Sequence, residues 1–393
     1  YLKFMIFIKI IRGFLSTEFN TLKIKITICI MERSMVYGDH TTLRGNNKSR
    51  RQFWLSLPLC LIYSTTNYAQ PLSTEAEQDI TIPEWVEIGQ STISDQVHDV
   101  SSYLDHSMAK DEDEKELINN SYLKIRLTPS YSYRDKFEFD TRASLKVDLP
   151  HTKQDWNLIL ETDPDDFDSL ESKQRNTPTN GTSSFSEAVG GVRLQDLYFG
   201  SWKTNFDVGI KFRFPLDPFV RADIRRVDAL SDNWTSRFKQ ELFYYHSKGP
   251  GSLTELDFYY AFKEDHSQIF KSASSAQYLE NDDTWELVQT FTYFDRVSRR
   301  NLMEYSVGIS SETDELKKVS NIWLSASWKR NLYKNWLYTT LTPQIEFPRE
   351  HNHHINPGVW LELEILFSKN RKMDQLLRTI PTPYKKRIKD DEE

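Results

Sequence analysis

FEFDTRASLKVDL, residues 137 to 149, alternates apolar and charged side chains along its whole length. Phe137, Phe139, Ala143, Leu145, Val147 and Leu149 take the odd positions, and Glu138, Asp140, Arg142, Lys146 and Asp148 lie between them. A period of two identifies a β-strand, because successive side chains of an extended chain leave opposite faces. Thirteen residues is long for one, since strands of soluble sandwiches average about 5 to 6. SYLKIRLTPSYSY (121–133) repeats the design with Leu123, Ile125, Leu127, Tyr131 and Tyr133 against Lys124, Arg126, Thr128 and Ser132. NFDVGIKFRF (205–214) sets Phe206, Val208, Ile210, Phe212 and Phe214 against Asp207, Lys211 and Arg213.

Further strands read near 154–163, 218–228, 234–246, 252–264, 284–295, 302–311, 321–330, 336–347 and 358–367, giving 12 in all. GGVRLQDLYFGSW (190–202) is a candidate strand that would demand a partner elsewhere and raise the count to 14. Either number is even, as a barrel with both ends on one side requires. With odd strands running outward, 164–203 and 265–283 become long outer loops, and HTKQ, PLD, SKGPG and RNLYK become inner turns.

Alternation alone also suits a sandwich, in which the apolar face is the core. Strands of 10 or more residues carrying Phe favour a bilayer, where every backbone amide must be paired and only a closed sheet satisfies that demand. Trp156, Trp234, Trp285, Trp336, Tyr122 and Tyr333 fall near strand ends, as rings seated at the headgroup level do. The expected fold is all-β: a closed antiparallel up-and-down transmembrane β-barrel over 121–367, preceded by a short amphipathic helix.

Composition agrees. The 393-residue chain has a mean hydropathy of -0.61 yet is 13% aromatic, a combination that alternating strands produce. From Gln70 onward no window is apolar enough for a transmembrane helix, which leaves barrel strands untouched. Residues 1–30 read as upstream read-through, and 31–69 as a secretory signal: Lys48, Arg50 and Arg51, then the apolar run FWLSLPLCLIY, then a cut near Ala69. Both cysteines, Cys29 and Cys60, fall in that leader, so disulfide and thiol chemistry are excluded downstream. Removing the leader leaves 40 Lys and Arg against 54 Asp and Glu, and a net charge of -14 speaks against a nucleic-acid partner.

Residues 70–120 form a periplasmic segment whose helix, 84–109, carries Val86, Ile93, Val97, Val100, Leu104 and Met108 on one stripe. That stripe is expected to pack on the barrel, with homo-oligomerisation through it as the alternative. The tail, 368–393, is polar and suits disorder on the inner side.

GVWLELEILF (358–367) puts Val359, Leu361, Leu363 and Ile365 on one face and stops at Phe367. An alternating terminal strand ending on an aromatic resembles the signal by which assembly machinery recognises bacterial outer-membrane β-barrel proteins. It departs from that pattern in having 26 residues after the aromatic. The resemblance is to the class, not to one family, and implies outer-membrane lipid and the barrel-assembly machinery as partners.

On that expectation the charged face lines a lumen. Its candidates are Arg126, Arg142, Lys146, Lys211, Arg213, Arg221 and Arg225 against Glu138, Asp140, Asp148, Asp207 and Asp223. Interlocked pairs would fill the interior and leave an anchor or assembly scaffold. A basic stripe of Lys211, Arg213, Arg221 and Arg225 would instead make a porin-like channel for small solutes, anionic ones included. No catalytic residue and no cofactor is predicted: His246 and Ser247 in YHSKG are adjacent, so on a strand they face apart and cannot form a base and nucleophile pair. No dedicated metal site is predicted either, although His351, His353 and His354 beside Glu350 have incidental zinc capacity, and the acidic run DPDDFDSLE in the first outer loop has loose capacity for divalent cations.

Overall fold

The computed structural model describes residues 81–108, 119–149, 156–161, 169–175, 188–212, 215–281, 283–313, 318–369 and 381. The leader, most of the tail, the turn HTKQ and Arg213 lie outside the described residues.

Fourteen antiparallel strands follow the helix α1 (Glu84–Met108). They are β1 (Tyr122–Ser132), β2 (Lys136–Asp148), β3 (Trp156–Glu161), β4 (Val189–Phe199), β5 (Trp202–Lys211), β6 (Asp217–Ala229), β7 (Trp234–Tyr245), β8 (Gly249–Ala261), β9 (Gln268–Leu279), β10 (Thr284–Arg296), β11 (Asn301–Glu312), β12 (Lys318–Tyr333), β13 (Leu337–Glu346) and β14 (Asn356–Phe367). A six-residue helix, α2 (Leu170–Arg175), interrupts the β3–β4 connection. Each strand pairs with its sequence neighbours, and β14 closes on β1 with Ile125 opposite Ile365 and Arg126 opposite Glu364. Closure pairs every strand edge, the condition for polar backbone to cross hydrocarbon.

The count is 14, the alternative, rather than 12. GGVRLQDLYF is β4, the candidate that raised that alternative, and the segment expected as an outer loop over 265–283 is β9 with a short connection at each end. The two strands absent from the count of 12 reverse every strand between them. The PLD and SKGPG turns therefore lie at the end distal to the barrel's chain termini, beside the β3–β4 connection, and not at the terminal end. RNLYK stays at the terminal end, where Lys334 and Asn335 both adopt positive φ (40° and 59°) to reverse the chain tightly.

The face rule holds on most strands. Phe206, Val208 and Ile210 on β5, Leu242 and Tyr244 on β7, Phe291 on β10, Val307 and Ile309 on β11 and Leu324 on β12 are 40–59% exposed on the outside. In water so many exposed apolar side chains would aggregate; against lipid they are solvated. Strands of 10 to 13 residues, tilted about 45°, match the hydrocarbon thickness. Aromatic contacts ring this belt. Near the terminal end Trp234, Tyr260, Phe262, Tyr293 and Tyr305 run in sequence at centroid spacings of 4.9, 4.9, 5.9 and 6.4 Å, and near the distal end Tyr278 meets Trp285 at 5.1 Å. Trp336 and Tyr333 are corrections to the expected girdles: both are buried, packed with Leu366, Ile82, Val86 and Tyr122. The side chain of Trp156 lies outside the described residues.

Helix α1 docks at the terminal end beneath β14, β1 and β2. The Gln90 amide donates to the Leu366 carbonyl at 3.1 Å, and Glu87 accepts from the Tyr333 hydroxyl at 3.1 Å and pairs with Lys334. The buried positions of α1 are polar, namely Gln90, Ser94, Ser101 and Asp105, and Val100 of the expected apolar stripe is 57% exposed. The helix is thus rotated relative to that expectation, because it caps strand ends whose free carbonyls want donors. No described helix is long and apolar enough to cross a membrane.

Candidate functional site

The lumen is the site, and the strand period decides what enters it. Arg126, Glu138, Asp140, Arg142, Lys146, Lys211, Asp207, Arg221, Asp223 and Arg225 all sit on the face opposite the apolar belt. Of the expected lining set only Arg213 lies outside the described residues. Val359, Leu361, Leu363 and Ile365 lie on the outer face of β14; Phe367 shares that parity but is buried.

The ions are paired along and across strands. Asp207 accepts from Arg193 at 2.7 Å and from Arg221, Asp223 accepts from Arg225 at 2.7 Å, and Asp140 pairs with Arg142 at 3.0 Å. Arg126 reaches Glu364 at 3.3 Å across the closing seam. Arg237 and Lys239, which the lining set omitted, pair with Asp257 and with Glu241 at 2.9 Å.

These pairs are asymmetric. Side-chain exposure is 30% for Arg126, 29% for Arg193, 34% for Arg225 and 30% for Arg237, against 5%, 7%, 6% and 2% for their carboxylate partners. The short acids lie against the wall while the longer guanidinium stems project into water. In these four pairs the guanidinium is the partner nearer the open interior of the lumen.

Its distal half is narrowed by α2, which folds inward from the β3–β4 connection. Leu170 is fully buried against Leu253, Val288 and Trp323, which face inward from β8, β10 and β12. Its backbone N–H donates to Glu286 at 2.6 Å, the Lys173 ammonium to Gln277 at 2.8 Å, and the Gln174 amide to Glu255 at 3.0 Å. Glu171 accepts from Asn321 at 2.7 Å and from the Ser310 hydroxyl. Arg175 pairs with Glu346 at 2.8 Å and with Glu171 at 2.5 Å, and lies over the rings of Trp323 and Trp360 at 5.1 and 5.9 Å. Gly308 makes room for this arrangement: a Cβ there would stand 2.2 Å from the Trp323 ring.

This corrects the expectation for the acidic run DPDDFDSLE. Its last residues, Leu170 and Glu171, are anchored inside the barrel rather than displayed on an outer loop, and the part of the run before Ser169 lies outside the described residues. The signal in sequence is faint: Ser169, whose hydroxyl accepts from the Ser172 N–H at 3.2 Å, caps a six-residue helix with a single apolar side chain.

What remains open beside α2 is a cleft of about 260 Å³ against β1, β2, β13 and β14, lined by Ser130, Ser132, Glu138, Gln344, Glu346 and Trp360 among others. At its rim the β1–β2 turn meets the β13–β14 loop. Burial works to raise the Asp135 carboxyl there, but hydrogen bonds from Ser132, Asn356 and His351 outweigh it and hold the group below its ordinary value. The β7–β8 turn carries His246 and Ser247; the Ser247 hydroxyl donates to Asp217 at 2.5 Å, a turn-fixing bond.

No family model matches the sequence, and no curated protein matches it. Among solved structures, the chain is similar to an anion-selective porin from Comamonas acidovorans (TM-score 0.40, 7% identity, 63% of this chain and 99% of that one). It is likewise similar to the outer-membrane channel DcaP of Acinetobacter baumannii (0.37, 8%, 64% and 96%) and to a loop-deletion mutant of OmpT, an outer-membrane protein of Vibrio cholerae (0.40, 6%, 63% and 99%). The molecule itself sets the class: a closed antiparallel barrel with a lipophilic outer face and an ionic lumen has the architecture of outer-membrane β-barrel proteins.

Proposed function

We propose that the protein is a porin-like channel of a Gram-negative outer membrane, passing small solutes and favouring anions. The distal end, with its long β3–β4 connection, then faces the cell exterior, and α1 faces the periplasm. The observation that supports this reading is the asymmetry of four luminal ion pairs, those of Arg126, Arg193, Arg225 and Arg237, in which the cation is the more exposed partner; Arg175 beside α2 reverses the order against Glu171 and Glu346. Low-dielectric walls focus such a field onto the path, where partly exposed guanidinium groups attract anions and repel cations.

Planar-bilayer recordings under a salt gradient test it. Wild type should give discrete steps with a reversal potential on the anion side, and Arg225→Glu with Arg237→Glu should move it toward cations. A reversal potential untouched by the double substitution would end the anion reading. One observation favours a second reading, a closed anchor or scaffold: α2 is tied to inward-facing residues of six successive strands, β8 to β13. Absence of steps from folded protein would select it.

A further inference from the structure

We propose a divalent-metal site for a zinc-class ion at the distal rim, formed by Asp135, Glu350 and His351. The two segments that supply it are far apart in sequence and meet only because β14 closes on β1. Asp135 lies in the β1–β2 turn, and Glu350 and His351 lie in a 3-10 turn of the β13–β14 loop. One ligand atom from each residue falls within 4.8 Å of the others. The His351 Nε2 stands 3.0 Å from Asp135 Oδ1 and 3.8 Å from Glu350 Oε1. Ligand atoms around a tetrahedral zinc with bonds of about 2.0 to 2.1 Å stand roughly 3.3 Å apart, so the two spacings bracket what the ion needs.

The surroundings orient the carboxylate as a ligand. Asp135 Oδ2 accepts from the Ser132 hydroxyl at 2.7 Å and the Asn356 amide at 2.9 Å, which leaves Oδ1 aimed at the imidazole. Asn356 is fully buried and is itself fixed, donating to Glu346 at 3.0 Å and accepting from the Arg134 N–H at 3.0 Å. Such outer partners hold a ligating carboxylate in one orientation and tune its affinity. Glu350 is 64% exposed and swings without disturbing packing. One imidazole nitrogen and two carboxylate oxygens suit a borderline metal better than calcium or magnesium, which prefer all-oxygen sets. Asp135 and Glu350 also line the cleft beside α2. His353 is not part of the site: the ligand atoms that converge within 4.8 Å are those of Asp135, Glu350 and His351.

Calorimetric titration of ZnCl2 into chelator-stripped, folded full-length protein in detergent tests the assignment. One saturable equivalent is expected, with affinity lowered by about tenfold or more in His351→Ala and unchanged in the His353→Ala/His354→Ala double variant. Should His351→Ala fail to fold, Glu350→Gln serves in its place and is expected to weaken binding in the same direction. The site is overturned if no saturable binding occurs, if His351→Ala and Glu350→Gln bind as wild type does, or if the double variant abolishes binding. The titration needs no conductance, so a silent barrel that binds zinc leaves this site standing.

Discussion

Arg175 is the strongest single tether of the segment that narrows the lumen, and its removal has a calculable effect. Its side chain is 8% exposed, pairs with Glu171 and Glu346, and lies between two tryptophan rings. Truncating one partner of a buried pair costs about 3 to 5 kcal/mol, chiefly because the other charges are left unpaired. The remaining tethers are the burial of Leu170, worth about 1.5 to 3 kcal/mol, and the hydrogen bonds of the Leu170 N–H to Glu286, of Lys173 to Gln277 and of Gln174 to Glu255, each with one charged partner and worth about 1.5 to 3 kcal/mol. Arg175→Ala therefore removes about a third of what seats α2. A loss of 3 kcal/mol shifts the seated-to-released ratio by about two orders of magnitude. Single-channel recordings of the variant should show larger conductance with frequent transitions between levels, while Arg175→Lys, which keeps the charge but not the planar fork, falls between. Conductance and noise identical to wild type, from variant protein that retains its heat-modifiable fold, would refute the role of α2 as a constriction.

Two further outcomes follow from the exterior and from the terminal end. Val208→Arg on the outer face of β5, 47% exposed, should lower stability in lipid by about 2 to 4 kcal/mol in urea titrations; no loss would mean that this face meets water. Docking of α1 should persist through neutral pH and weaken only in strong alkali. Hydrogen bonding to Glu87 and then to Tyr333 raises the Lys334 ammonium above its ordinary value, so its contribution is complete below the ordinary lysine range of about 10.4 and fades as pH climbs through the raised value. Hydrogen exchange of α1 should lose this alkaline step in Lys334→Met, and a step that survives the substitution assigns it elsewhere.

The closed barrel was legible in sequence because lipid imposes one rule on every strand, and β2 obeys it for 13 residues. The strands that escaped are those that break the rule locally. β9 places Ser272, Ser274 and Ala276 on its outer face, so the greasy alternation vanishes between Phe270 and Tyr278. β4 opens on Gly190 and Gly191, whose missing side chains leave space for Phe212 and Phe219 to cross. Leaving out both kept the parity of the count even, so both ends of the sheet still fall at one end of the barrel while the turns between the two strands are inverted. The division into inward and outward faces came out of the same period, but the seat of α2 did not. Its partners are scattered over six strands, and only the closed sheet brings Leu170 to Trp323 or Arg175 to Glu346. Asp135 and His351 were invisible as a pair for the same reason.

The register in which Leu123 faces Phe367 and Tyr131 faces Val359 joins the earliest and latest segments of the sheet as nearest neighbours. A ribosome releases those two segments hundreds of residues apart, so no stable edge exists until the last one arrives. Deleting β14 alone would not yield a smaller cylinder: thirteen strands in up-and-down order would force β1 and β13 to run parallel. Shortened variants should remove hairpins whole, and a chain halted inside the final strand should stay an open ribbon, exposed to proteases instead of sealed in lipid.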